Sequence, residues 1–393
     1  MPPADGDRAW RTRPTEGVEP ILGGVIATPP AGFLTVGQAS ARRMALRAAD
    51  RGHGGRTLLV HGPPGAGKDA FVEDLLALAF CTDPDRSSRP CNACRGCRDG
   101  RARAHPDLVI GSPGLWREQR STGETIVAAA RRWLLEAAGA PVQAERRIVL
   151  VEHADRASEQ IQNALLKTLE EPTDRHAFIL VADDPSRLLP TIRSRCRPLR
   201  IGPVPRAELV DHLMTVRRLP ADQAHALARI SNGLAGVALG FADRAELIEW
   251  RGRVQRSLLA QLERGPADRF EAIRDLLDST VPTDAPMPTA TQPDDGGEPV
   301  RGAASVQRAA AAMIVEAWTD LARDLLVARA DRAGLAPTGE LAPDLAGLAG
   351  RIDVRQLTSA IRLLGRVADG LRENAAPRLA LETAMLAWPR LTR

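Results

Sequence analysis

Long apolar runs are missing from the 393 residues: no stretch of 18 occurs, which excludes a membrane-spanning helix. The start, Met1 to Pro20, mixes Asp5, Asp7 and Glu16 with arginines and holds no apolar segment of a secretory signal. The expectation is a cytoplasmic chain with no membrane contact. Charge of one sign is also slight. With 53 basic and 49 acidic residues the net charge is +4, a field that permits contact with nucleic acid without arguing for it. Cysteine is scarce and clustered: four of the five lie between Cys81 and Cys97, and the fifth is Cys196. That is no disulfide framework, and in a reducing compartment it favours a metal. Lysine is scarcer still. Only Lys68 and Lys167 occur, arginine filling nearly every other site for a cation.

What is present is enough apolar content, 44%, to build two or three cores over this length. The first 35 residues are rich in Pro and Gly and predict an extended lead-in. Short apolar runs at Thr57 to Val60, Leu108 to Ile110, Ile148 to Val151, Phe178 to Val181 and Leu199 to Ile201 predict buried strands, with helical patterns between most of them. One such helix carries Ile161, Ala164, Leu165, Thr168 and Leu169 on one face and stops before Pro172. The order is βαβ, and it predicts a parallel sheet wrapped by helices. After Pro205 the strands cease. Arg206 to Val216, Ala221 to Ile230 and Leu234 to Ala242 predict three short helices, a small lid. From about Glu246 the pattern is helical, except for the Pro- and Gly-rich insert Ser279 to Gly302, expected to be a flexible loop.

The segment Gly62-Pro-Pro-Gly65-Ala-Gly67-Lys68 follows a strand and precedes a helical run, the context of a phosphate-cradling P-loop. Its glycines let backbone N–H groups approach phosphate oxygens, and its lysine supplies a compact charge that a branched guanidinium would not. The next residue should be Ser or Thr, to hold Mg²⁺. It is Asp69. Two readings stand: residual ATP or ADP binding at Gly62, Gly65, Gly67 and Lys68, or a loop that keeps only the shape. The strand Ile148 to Val151 ends in Glu152-His153, where an active ATPase needs an Asp for the metal and a Glu to activate water. Glu152 can replace that Asp, whereas His153 is a poor substitute for that Glu; its intrinsic pKa would suit a general base, and the blander, favoured reading is a histidine with a structural hydrogen bond.

Cys81, Cys91, Cys94 and Cys97 put four thiolates among turn-forming residues, a spacing that can close a tetrahedral zinc site. An iron–sulfur cluster competes, but the Cys-Pro that completes the usual ferredoxin run is missing. Unligated thiols are the remaining reading. Four protein ligands leave no open position, so a metal here is structural.

Taken together, Ala164-Leu-Leu-Lys-Thr-Leu-Glu-Glu-Pro172, Leu188-Leu-Pro-Thr-Ile-Arg-Ser-Arg-Cys196 and a four-cysteine insert after a P-loop resemble the bacterial clamp-loader subunits of the AAA+ family. Asn374-Ala-Ala-Pro-Arg-Leu-Ala-Leu-Glu382 resembles the last collar helices of a member that does not hydrolyse ATP. The resemblance implies an α/β AAA+ core over 36–203 with a zinc-binding insert at 81–97, a lid over 204–245 and an all-α collar over 246–393. It implies gamma/tau and delta subunits as partners in a pentameric ring, with the sliding clamp and primed DNA reached through the complex. Arg195 matches the arginine offered to a neighbouring subunit's ATP, and the four cysteines match zinc ligands. Asp69, Glu152-His153 and Gly236 depart from the hydrolysing members, the last standing where they carry a lid arginine. Two other functions compete: an active ATPase of the gamma/tau kind, opposed by those departures, and a zinc-dependent nucleic-acid-binding module. The residues between the cysteines, Asn92-Ala93 and Arg95-Gly96, supply one arginine and no aromatic for such a module.

Overall fold

A computed structural model describes residues 32–50, 57–170, 174–278, 303–330, 341–372 and 375–391. The lead-in up to residue 31, Pro172, the insert Ser279 to Gly302 and Asn374 lie outside the described residues. The five apolar runs form the strands β1 (Thr57–His61), β2 (Leu108–Gly111), β3 (Arg147–Val151), β4 (His176–Ala182) and β5 (Arg197–Arg200). They make one parallel sheet in the order β2-β3-β4-β1-β5.

Strands covered on both faces need apolar side chains at every position, which is why these runs do not alternate. One face sets Leu59, Val149, Val151, Phe178 and Leu180 against helices α4 (Pro113–Glu118), α5 (Ile126–Ala137), α6 (Glu159–Glu170) and α7 (Pro190–Arg195). The other sets Leu58, Val60, Leu150, Ile179 and Val181 against α1 (Ala39–Asp50) and α2 (Lys68–Phe80). A short helix, α3 (Arg95–Arg101), packs on α2. The last strand begins two residues earlier than its apolar run. It is an edge strand, so Arg197, Pro198 and Arg200 are tolerated around the single buried Leu199.

Beyond the sheet come α8 (Arg206–Thr215), α9 (Ala221–Ile230) and α10 (Ala235–Ala242), which share a small core of Leu209, Leu213, Leu227 and Ala238. The rest is helical: α11 (Ala245–Ala260), α12 (Pro266–Asp278), α13 (Ala303–Arg329), α14 (Ala342–Ala349), α15 (Val354–Arg372) and α16 (Pro377–Leu386). Trp250, Leu258, Trp318, Leu325, Leu364 and Met385 lie in its core. Arg269 of α12 is buried there without a carboxylate. Its guanidinium donates to the carbonyls of Gln261, Met385, Trp388 and Pro389, satisfying the open ends of α11 and α16. The architecture is thus an α/β P-loop core followed by a small helical lid and an all-α region. Among the described residues no helix is long and apolar enough to cross a membrane.

Candidate nucleotide site and four-cysteine cluster

The loop from Gly62 to Gly67 joins β1 to the N-terminus of α2, and Gly62, Gly65 and Gly67 all carry positive φ, of 156°, 75° and 95°. Lys68 opens the helix with its ammonium turned back into the loop. It donates to the carbonyls of Gly62 at 2.8 Å and Pro63 at 3.0 Å, and it pairs with Asp183 at 2.7 Å. An ammonium has three N–H bonds, and here each has an acceptor within the chain. The same Asp183 carboxylate takes Arg156 at 2.9 Å. Burial works to raise its pKa, but Lys68 and Arg156 outweigh burial and hold it below the usual carboxylate range. Asp183 was not among the residues the sequence suggested. It follows β4, whose Ala182 registers against His61 of β1, and only that pairing brings it beside the loop.

Asp69 points outward at the start of α2 and Glu73 follows one turn later. Glu152 stands at the C-terminal end of β3. One guanidinium serves all three: Arg103 lies 2.5 Å from Glu152, 3.7 Å from Asp69 and 3.9 Å from Glu73. Burial pushes the Glu73 carboxyl up, while Arg103 pulls the other way. His153, exposed and left-handed at φ 50°, caps a single 3-10 turn. Within that turn the buried Asp155 accepts the N–H groups of Asp183 and Asp184 at 3.1 and 3.0 Å. Burial is the main cause that raises the Asp155 carboxyl.

The lid closes on the loop through backbone. Gly236 of α10 donates its N–H to the carbonyl of Gly65 at 2.8 Å. A Cβ on Gly236 would stand 2.9 Å from that same oxygen, and one on Gly65 would stand 2.5 Å from Cγ2 of Val237. A side chain at 236 therefore cannot enter this contact without moving the loop.

The four cysteines form a second centre on the α2 and α3 side. Their Sγ atoms all lie within 4.8 Å of one another, with Cys91 and Cys97 at 4.0 Å and Cys81 and Cys94 at 4.0 Å. Four sulfurs held at about 2.3 Å from one zinc ion stand about 3.8 Å apart, so the set fits a tetrahedral ion. Backbone N–H groups of Cys91, Cys94, Thr82 and Cys97 donate to sulfurs at 3.4 to 3.5 Å, the partners a thiolate cluster needs. Burial pushes the Cys97 thiol up, and it donates to the Ala77 carbonyl at 3.4 Å. At Cys94 burial is outweighed by donors from Thr82 and Cys97, which bring its pKa down to about 6.

Arg195 is apart from both centres. It ends α7, exposed, with Nη1 on the Thr191 carbonyl at 3.0 Å. The chain then enters β5, where Arg197 registers against Leu58 at the start of β1. The P-loop leaves the other end of β1, about 10 Å further along at the usual rise per residue, so Arg195 is at the wrong end of the sheet to serve Lys68.

Residues 37–205 match the family described as "DNA polymerase III, delta subunit". The delta-prime subunit of DNA polymerase III from Escherichia coli (strain K12) is 35% identical over 194 residues, covering 49% of this chain and 55% of the relative. The chain resembles the delta-prime subunits of bacterial DNA polymerase III. The delta-prime subunit from Bacillus subtilis (strain 168) is 32% identical over 199 residues, covering 50% of this chain and 56% of its own. The tau subunit from Escherichia coli (strain K12) is 28% identical over 192 residues, covering 48% of this chain and 28% of tau. The chain spans about half the length of the delta-prime relatives it matches. Identity is thus higher to the delta-prime subunits than to tau, and the match falls on the sheet region that carries the P-loop, the cysteines and Arg195.

Proposed function

We propose that the chain is the delta-prime member of a bacterial clamp loader: a subunit that helps place the sliding clamp on primed DNA while hydrolysing no ATP itself. In this reading residues 36–203 are an AAA+ core, 204–245 its lid and 246–393 a collar, with 279–302 as an insert. The collar joins gamma/tau and delta in a ring of five. The observation that carries the reading is the state of Lys68. A phosphate-binding lysine directs its N–H groups at the nucleotide; here a carboxylate, Asp183, competes for them beside the carbonyls of Gly62 and Pro63. Asp69, Glu152-His153 and Gly236 support it, since none supplies the hydroxyl, the water-activating acid or the lid arginine of a hydrolysing member.

Arg195 then acts in trans. From the end of the sheet away from the P-loop it stabilises charge on the phosphoryl group transferred in the adjacent gamma/tau subunit. Cys81, Cys91, Cys94 and Cys97 hold one zinc ion, which ties the segment before α3 to the end of α2. The test is Arg195→Ala in the ring assembled with gamma/tau and delta. Single-turnover hydrolysis at the neighbouring site should slow roughly a thousandfold, with assembly unchanged. Unaltered hydrolysis would sink the trans role.

A further inference from the structure

The guanidinium of Arg103 lies among the carboxylates that stand where a working P-loop site holds a divalent ion. Such an ion sits between the residue after the P-loop lysine and the carboxylate at the end of the neighbouring strand. In this chain those positions are Asp69 and Glu152, and Glu73 adds a third carboxylate from the next turn of α2. Arg103 contacts all three, at 3.7, 2.5 and 3.9 Å. Neighbouring carboxylates disfavour one another's charge, and a cation among them lowers that cost, most of all at Glu152, the nearest and least exposed of the three.

Arg103 is built into that place. It lies just past the Ala102 cap of α3 in the left-handed conformation, φ 54°, with its N–H on the Gly100 carbonyl and that of Ala104 on Asp99. A helix usually ends there in glycine or asparagine, because a longer side chain is strained. The arginine is used in spite of the strain. Its helix is fixed by Arg101, whose guanidinium pairs at 2.8 Å with Asp74, a residue of α2 with no solvent exposure. Asp74 also accepts the N–H groups of Leu34 and Thr35.

We propose that Arg103 is a resident cation: a side chain held in the divalent-ion position of the degenerate site, where it neutralises Asp69, Glu73 and Glu152 and keeps metal ions out. This rests on reading Gly62 to Lys68 as a nucleotide site that has lost hydrolysis. With Asp183 standing in for phosphate against Lys68 and Arg103 standing in for the metal, both halves of a metal–nucleotide complex are supplied by the chain.

The test is Mn²⁺ binding to the full chain, read as loss of the free-ion paramagnetic resonance signal during titration. Arg103→Gly removes the charge and suits the left-handed backbone, and Arg103→Gln removes it while keeping most of the length. Either variant should bind one Mn²⁺ about tenfold or more tighter than the unaltered chain. Arg103→Lys should restore exclusion, and adding Glu152→Gln to Arg103→Gly should abolish the gain. Equal Mn²⁺ affinity in the unaltered chain and both neutral variants, or a gain that survives Glu152→Gln, would overturn the proposal. ATP turnover by the unaltered chain would instead sink the underlying reading, so the two failures are told apart.

Discussion

The carboxylate of Asp183 shows how one side chain can set the state of a site. Its two partners, Lys68 and Arg156, are cations drawn from different elements. Asp183→Asn keeps an acceptor for the Lys68 ammonium but loses the charge, and should destabilise the fold by about 2 kcal/mol at neutral pH. The pH dependence has a definite sign. The folded-state pKa of Asp183 is lowered, so its contribution is complete above the unfolded value of about 3.9 and is lost as pH falls through the lower folded value. Urea denaturation should therefore find the gap between the two proteins closing below about pH 4; a gap constant down to pH 2 would show that the pairing does not stabilise. Arg269 is the corresponding residue of the helical region. Arg269→Met leaves the carbonyls of Gln261, Met385, Trp388 and Pro389 buried without a donor and should cost about 3 kcal/mol in the same measurement.

At the scale of elements, the contact between the P-loop and α10 predicts a pair of variants. Gly65→Ala puts a methyl group 2.5 Å from Val237 Cγ2 on a backbone of φ 75°, and should cost about 1 to 3 kcal/mol. Adding Val237→Ala should recover the part due to overlap and leave the part due to strain; thermal unfolding of the two proteins separates them. Elemental analysis should find one zinc per chain, lost in the Cys91→Ser, Cys94→Ser double variant.

Elements were the most legible level of the sequence. Four of the strands could be read because burial against helices favours unbroken apolar runs, whereas the edge strand β5 was legible only through Leu199 and Ile201; α6 and the lid helices were legible because their apolar residues recur at helical spacing. Helices α1 and α3 were not singled out. The stripe of the first is Ala41, Met44, Ala45 and Ala48, mostly alanine among arginines and so only weakly apolar, and the second is short, polar and glycine-containing. The P-loop and the cysteines were legible because their residues are adjacent in the chain. Asp183 and Arg103 were not. Their partners lie at distant positions, Arg103 and Glu152 being 49 residues apart, and only the parallel pairing of the strands makes them neighbours.

Across the whole molecule, the lid is tied both to the core and to the helical region beyond it. Gly236 holds the loop on one side. On the other, Arg229 of α9 pairs with Asp324 of α13 at 2.5 Å, and Asn232 donates to Asp320, one turn earlier, at 3.2 Å. Asp320 also pairs with the buried Arg251 of α11. Removing one partner leaves the other charge poorly compensated, so Asp320→Ala should cost about 3 kcal/mol in chemical denaturation. A cost below about 0.5 kcal/mol would class the cluster with ordinary surface pairs. These ties give the α/β core, lid and helical region a continuous path of contacts.

The central claim is that this P-loop no longer supports hydrolysis, because Asp183 holds its lysine and the metal and water positions carry Asp69, Glu152 and His153. The most direct test is ATP turnover by the purified chain alone with Mg²⁺, run beside a Lys68→Ala variant. The account predicts the same background rate for both. Turnover by the unaltered chain that disappears in Lys68→Ala would contradict it.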